Sequence, residues 1–219
     1  MRLAILGASG HGKVVADTAE RTGWLSVSFF DDAWPNLQRN GPWAVEGNTE
    51  LLFKRLPDFE GVVVAIGDNR IRALKQSGIV ASGGKMATII HPSAAVSAYA
   101  SVDAGSQVFA NAVVNACAKV GAGVIVNTGA VVEHDCVVGD FAHISPNAVM
   151  AGGATLSPLA WIGSCASVRQ QIAVGEASVV GMGAVVIKDV APNVIVVGNP
   201  AKVVEPQNES THSTQTRKK

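Results

Sequence analysis

From Ile90 to Val186 an aliphatic residue recurs at every sixth position without a break: Ile90, Val96, Val102, Val108, Val114, Val120, Val126, Val132, Val138, Ile144, Met150, Leu156, Ile162, Val168, Val174, Val180 and Val186. Two residues ahead of each sits a mostly small side chain, such as Ala112, Ala130, Cys136, Ala148 or Ser178, with Val124 and Ile172 the larger exceptions. A period of six matches neither the 3.6 of an amphipathic helix nor the 2 of a strand. Self-similarity at a fixed period marks a repeat architecture, and hexads predict a parallel β-helix with three hexads, about 18 residues, to each triangular coil. Valine suits the extended backbone of the coil sides, and only an alanine-sized neighbour fits beside it in so narrow a core. Seventeen hexads make nearly six coils, roughly 27 Å of stack at ~4.8 Å per paired strand. A sandwich of short strands would need variable loop lengths, which the strict spacing does not offer.

Composition narrows the function. Seventeen basic and seventeen acidic residues cancel, so no global field points to nucleic acid or an anionic membrane, and the Arg217–Lys219 run is too short to change that. Aromatics are 5% against 48% hydrophobic residues, as a Val/Ala core requires. Cys117, Cys136 and Cys165 are odd in number and form no CxxC pair. They read as reduced thiols of a cytoplasmic protein, with Cys136 at a small inward position. No run of about 18 apolar residues exists, and Leu3–Leu6 is too short for a signal peptide.

Residues 1–88 read as a separate α/β domain, 89–204 as the coils, and 205–219 as a polar, disordered tail. RLAIL (2–6) is a buried strand, Gly7-Ala8-Ser9-Gly10-His11-Gly12-Lys13 a glycine-rich turn, and Val14–Arg21 a helix. Free N–H groups and the helix dipole make such a turn an anion site, although its G-x-x-G-x-G spacing departs from the dinucleotide fingerprint. A second strand, Leu25–Phe30, ends at Asp31-Asp32, where Rossmann-like folds place a ribose-binding carboxylate. Ala33–Gly47, with Trp34 and Trp43, reads as a loop. Asn48 or Thr49 caps a short helix through Lys54, Gly61–Ile66 is a third strand, and Gly67-Asp68-Asn69 opens a helix over 70–76. This β-α-β-α-β order predicts a small parallel Rossmann-like sheet, better sized for a nucleotide-sugar than for NAD.

Of five histidines, His212 lies in the tail, His91 at the domain junction and His11 in the glycine turn. His134 falls two residues past Val132, at a coil corner. His143 falls one before Ile144 and points outward, and Gly152 lies one coil on from His134. All three are expected on the outer surface. The Glu133-His134 pair would let a carboxylate fix the imidazole tautomer and leave the other nitrogen as a general base, though whether adjacent residues at a corner meet is open.

The GASGHGK turn, the run NTGAVVEHDCVVGD from Asn127 to Asp140 and the Gly198-Asn199-Pro200-Ala201 ending resemble bacterial sugar acetyltransferases. That family includes sialic acid O-acetyltransferase and the nucleotide-linked 4-amino-sugar N-acetyltransferases of bacillosamine and perosamine synthesis. The resemblance covers about residues 1–204 and implies a left-handed coil, the exception to right-handed crossovers. It implies His134 as general base and Glu133 as its orienting carboxylate. It further implies His143 near the thioester, the Gly152 N–H as a donor to the thioester oxygen, and Asn127 near the sugar. Gly10, His11 and Asp31 correspond to nucleotide-sugar contacts. Acetyl-CoA would lie between adjacent subunits of a homotrimer, beside Gly181, Ala184, Gly198 and Pro200, with no metal.

The acceptor implied is the C4 amine of a GDP- or UDP-linked 4-amino-4,6-dideoxy sugar, for surface polysaccharide or glycan synthesis; a sialic acid hydroxyl is the alternative. Two other classes compete. A zinc hydratase on this fold needs three imidazoles, and the coils offer two. A non-catalytic nucleotide-sugar binder would leave Glu133-His134 without a task.

Overall fold

The computed structural model describes residues 1–206. Its first part runs β1 (Arg2–Leu6), α1 (Gly10–Arg21), β2 (Ser26–Phe30), β3 (Arg39–Asn40), β4 (Trp43–Gly47), α2 (Thr49–Arg55), β5 (Gly61–Val64) and α3 (Asn69–Ala81). Helices α2 and α3 begin where side chains cap them: Asn48 Oδ1 accepts from Leu51 N at 2.9 Å and Asp68 Oδ1 from Ile71 N at 2.9 Å. The sheet order is β3-β4-β2-β1-β5, with β4, β2, β1 and β5 parallel and β3 antiparallel at the edge. The stretch read as a loop therefore contains a fourth parallel strand and its hairpin partner. Its tryptophans concealed this; Trp43 packs edge-on against Phe29 at 6.0 Å, as an anchor.

The hexads close into a left-handed parallel β-helix. Each two-residue rung pairs with the one 18 positions on, as in Val113↔Val131↔Val149. The rungs stack into three faces. Face 1 carries Ile89, Gln107, Ile125, His143, Trp161 and Val179 outward; face 2 carries Ala95, Val113, Val131, Val149, Ser167 and Val185; face 3 carries Ser101, Lys119, Val137, Thr155 and Ala173. The aliphatic series and its small partners form one buried column from Val108 to Val196, Cys136 among them. At the corners the third residue past the inward aliphatic takes a left-handed backbone, at Asn111, Cys117, Asp135, Asn147 and Gln171 among others.

The α/β domain lies on face 1. Ala8, Val15, Ala16 and Phe29 share a buried cluster with Ile89, Phe109 and Ile125 of the coils. The last sheet bridge uses Met86 and the first rung begins at Ile89. At the far end Val194–Val197 and Lys202–Pro206 form an antiparallel hairpin, so Glu205 and Pro206 belong to a strand and not to the expected tail, whose remainder, with His212, lies outside the described residues. No helix among the described residues is long and apolar enough to cross a membrane.

Candidate active site

His134 occupies the corner between faces 2 and 3, with its side chain largely exposed. Its Nδ1 lies 2.8 Å from Asp135 Oδ2. Glu133, expected to orient the ring, does not: its Oε2 accepts from Asn115 Nδ2 at 2.8 Å, one coil back, and from the His134 backbone N–H at 3.3 Å. The corner explains the exchange. Asp135 takes φ 60°, which folds its side chain back beside the ring, whereas Glu133 still follows the strand and turns toward its neighbouring coil. The Asp135 bond, opposed by slight desolvation and helped by the charges of Asp135 and Glu133, raises the His134 pKa above its ordinary value.

Gly152 lies directly against this ring. A Cβ there would stand 2.5 Å from His134 Nε2, so the imidazole can keep this position only over a bare backbone and would have to swing away from any side chain at 152. The coil is locked on both sides of it by Gly153 N donating to His134 O at 2.9 Å and Gln171 N to Gly152 O at 3.1 Å. One side of the His134 ring thus lies against the Gly152 backbone, and the side chain is otherwise largely exposed.

His143 departs from expectation. It does point outward from the prism, but on the face the α/β domain covers, and it is 8% exposed. Its ring stacks on Trp161 at 5.4 Å and 3°, Nε2 lies 3.2 Å from Asn127 Nδ2, and Nδ1 is buried without a partner. Burial, then the charges of Arg72 and His11, push its pKa to about 3, so it is neutral at ordinary pH. Asn127 is held in turn, its Oδ1 accepting from Thr128 N at 2.8 Å; it braces His143. No hydrogen bond joins the rings of His134 and His143.

Of the residues assigned to the nucleotide-sugar, Gly10 opens α1, exposed and with open space where a Cβ would be. His11 turns away from the turn's outer side: Nε2 lies 2.9 Å from Gln107 Oε1 of the coils, and the ring meets Phe109 edge-on. Burial, offset in part by that bond and assisted by Arg72, lowers its pKa to about 4. His11 is therefore a joint between domains. Asp31 spends both oxygens on the backbone, accepting from Ala8 N at 2.7 Å and Ala33 N at 2.9 Å, and so ties the glycine turn to β2. That turn admits only glycine at two points, since a Cβ at Gly7 would meet Ala65 O at 2.7 Å and one at Gly12 would meet Gly7 O at 2.4 Å.

Beside the turn lies a pocket of ≈ 330 Å³ lined by Gly7, Ser9, Asp31, Asp32, Thr49 and Lys75 among others. Ser9 precedes α1 without a side-chain cap bond, leaving the helix start open. Sequence reasoning missed the polar cluster at the pocket wall: Lys75 Nζ donates to Asp32 Oδ2 at 3.1 Å and Thr49 Oγ1 at 3.0 Å, and Thr49 N donates to Asp32 Oδ1 at 2.9 Å. Burial works to raise the Asp32 pKa, but the Thr49 and Lys75 bonds bring it below the usual value. Three dispersed segments meet there, and no local spacing announces it.

Among the assigned cofactor residues, Ala184 has its methyl in the core and its N–H and C=O bonded to Gly181 O and Ser167 N, so it is a packing residue. Gly181 N donates to Val196 O, and a Cβ at Gly181 would meet Val197 at 2.7 Å. Gly198 and Pro200 stand exposed at the hairpin turn, Gly198 with φ 96°. Among the described residues no group of three or more His, Cys, Asp or Glu could hold a metal ion.

The model of the PglD N-terminal domain matches residues 2–77. The acetyltransferase domain of PglB from Neisseria gonorrhoeae, solved in complex with acetyl coenzyme A, is 41% identical over 93% of this chain and 98% of that one, with a TM-score of 0.89. The chain belongs to the nucleotide-amino-sugar acetyltransferase family. A mutant perosamine N-acetyltransferase from Caulobacter crescentus, solved with CoA and GDP-perosamine, is 32% identical, covering 94% of this chain and 97% of that one at a TM-score of 0.89. Curated relatives in Schizosaccharomyces pombe and Staphylococcus aureus that carry acetyltransferase names match at 50% and 48% identity over 44 residues, spanning only 21% and 22% of those proteins.

Proposed function

We propose that this protein transfers the acetyl group of acetyl-CoA to the C4 amine of a nucleotide-linked 4-amino-4,6-dideoxy sugar, within the cytoplasm, for glycan synthesis. The observation that carries the reading is the His134 corner. Nδ1 is engaged by Asp135, which leaves Nε2 as the proton acceptor above the bare backbone of Gly152. The sugar amine attacks the thioester carbonyl, forming C–N and breaking C–S. Its proton passes to His134 Nε2, and the CoA sulfur leaves and is protonated. The Gly152 N–H is the donor we assign to the developing oxyanion. His134, as general base, contributes about 10²- to 10⁴-fold.

The pocket at the start of α1 suits a nucleoside diphosphate, with the helix N-terminus toward the phosphates and the Asp32–Thr49–Lys75 wall toward the base. The relatives solved with acetyl coenzyme A and with GDP-perosamine support this substrate class. The His134 corner is the edge opposite face 1, on which the nucleotide domain sits. This separation supports a homotrimer in which acetyl-CoA lies between adjacent copies and one copy's His134 serves its neighbour's pocket.

Acetyl-CoA consumption against a panel of UDP- and GDP-linked 4-amino sugars, with sialic acid alongside, tests the reading. Turnover of one nucleotide-linked amine, lost in His134→Ala, is the expected result. Turnover of sialic acid alone, or full activity in His134→Ala, would refute it.

A further inference from the structure

Helix α3 runs along the prism edge where face 3 turns into face 1. Asn69, Arg72 and Gln76 stand three and four residues apart, on one helix face, and all are buried. Their acceptors are main-chain carbonyls at that same corner on four successive coils. Gln76 Nε2 donates to Ala104 O at 3.2 Å, Arg72 Nε to Gly123 O at 2.7 Å, Arg72 Nη2 to Phe141 O at 2.7 Å, and Asn69 Nδ2 to Leu159 O at 2.8 Å. The helix advances ~10 Å from 69 to 76, against ~14 Å for three coil steps. Arg72 takes up the mismatch by reaching two coils at once.

The opposite side of the same guanidinium holds the pocket. Arg72 Nη1 donates to Ile66 O at 2.9 Å and Gly67 O at 3.2 Å. Ile66 and Gly67 line the nucleotide pocket, as do Ile71 and Lys75 on the neighbouring stripe of α3. One planar fork therefore binds pocket wall and coil corner together. Adhesion alone does not call for it, because the apolar cluster of α1, Phe109 and Ile125 already joins the domains. A buried cation is costly, and an apolar side chain of its size often stabilises as much. What the fork adds is a fixed distance.

We propose that Arg72, flanked by Asn69 and Gln76, is a positioning residue that sets the register of the nucleotide pocket against the coil stack. This rests on the acetyl-transfer reading, and it assigns Arg72 no contact with substrate. If the register slips, a nucleotide-linked amine is delivered to the wrong height on the prism, while an amino sugar without a nucleotide is not held by the pocket and does not depend on it.

The experiment uses the full chain with saturating acetyl-CoA and two acceptors, the nucleotide-linked amino sugar and the same sugar free. Arg72→Lys keeps the charge and loses the fork. Expected is a fall of about 10²-fold in kcat/KM for the linked acceptor, the scale of a misplacement near 1 Å, with the free sugar and the KM for acetyl-CoA unchanged. Added guanidinium ion should restore part of the linked rate in Arg72→Ala. Asn69→Ala, which cuts one coil contact only, gives a smaller loss of the same kind and carries the test if the Arg72 variants do not fold. A parallel fall for both acceptors, or an unchanged preference for the linked one, overturns the proposal. Wild-type protein inactive on every linked amine would instead overturn the acetyl-transfer reading, and the positioning role with it.

Discussion

An imidazole on an exposed corner would by itself titrate near its ordinary pKa, and a base is useful only in its neutral form. Asp135 raises the His134 pKa, which strengthens the base and moves the acid limb of the rate profile up. In Asp135→Asn the ring loses its largest raising influence, so the acid limb of kcat/KM should move to lower pH while the plateau rate falls. In Glu133→Gln the limb should move much less, because Glu133 reaches the His134 ring only through its charge, the smallest of the influences on it, and bonds to Asn115 and the His134 backbone instead. A pH profile of each variant checks this; an equal shift in both would return the orienting role to Glu133. The His134 position was legible in the sequence because hexad counting gives every residue a coil address. Its partner was not, since the left-handed backbone at Asp135 is a property of the corner, and the choice between the flanking acids depends on it.

Each coil element repeats one bargain between a branched and a small inward residue, and this regularity made the β-helix readable. The neighbour of each rung is always 18 residues away, so local pattern and tertiary contact coincide. Ala148, fully buried two residues before Met150, tests the bargain. Ala148→Leu should lower stability by about 1–3 kcal/mol through overpacking, read as a drop in the denaturant midpoint, whereas an unchanged midpoint would mean the column has room to spare. The α/β domain was only partly readable for the converse reason. Its strand β4 pairs with β2 across a segment rich in Pro and Trp, where no period exists. The polar stripe of Asn69, Arg72 and Gln76 looks like any solvated helix face until its coil carbonyls are in place. Asn127 and His143 were likewise found as site candidates; their mutual bond joins neighbouring coils, but the burial of His143 is not written in the hexads and comes with the α/β domain on face 1.

At the scale of the molecule, one face of the prism remains apolar and without cover. Face 2 presents Val113, Val131, Val149 and Val185 outward, half-buried in a single chain, while on face 1 the outward residues from Ile89 to His143 are buried where the α/β domain lies. Copies packing side by side would cover that row and bring the His134 corner next to a neighbour. Val149→Arg should therefore shift the mass in light scattering at micromolar concentration from three chains toward one and abolish transfer together; a monomeric wild type would refute the trimer. The seam on face 1 carries a different consequence. His11 and His143 have folded pKa values of about 4 and about 3, below the ordinary value near 6.5. Above that pH the folded and unfolded chains bind equal numbers of protons at these rings, and the seam contributes in full. As pH falls through it, the unfolded chain takes up protons that the folded chain refuses, and stability is lost down to the folded values. His11→Gln removes one such proton while leaving an amide to face Gln107. Its unfolding free energy, measured at fixed protomer concentration, should fall less steeply between about pH 6.5 and 4, by up to ~1.4 kcal/mol per pH unit. Parallel curves for variant and wild type would mean that the His11 ring takes up its proton in the folded chain as readily as in the unfolded one, and would refute its burial at the seam.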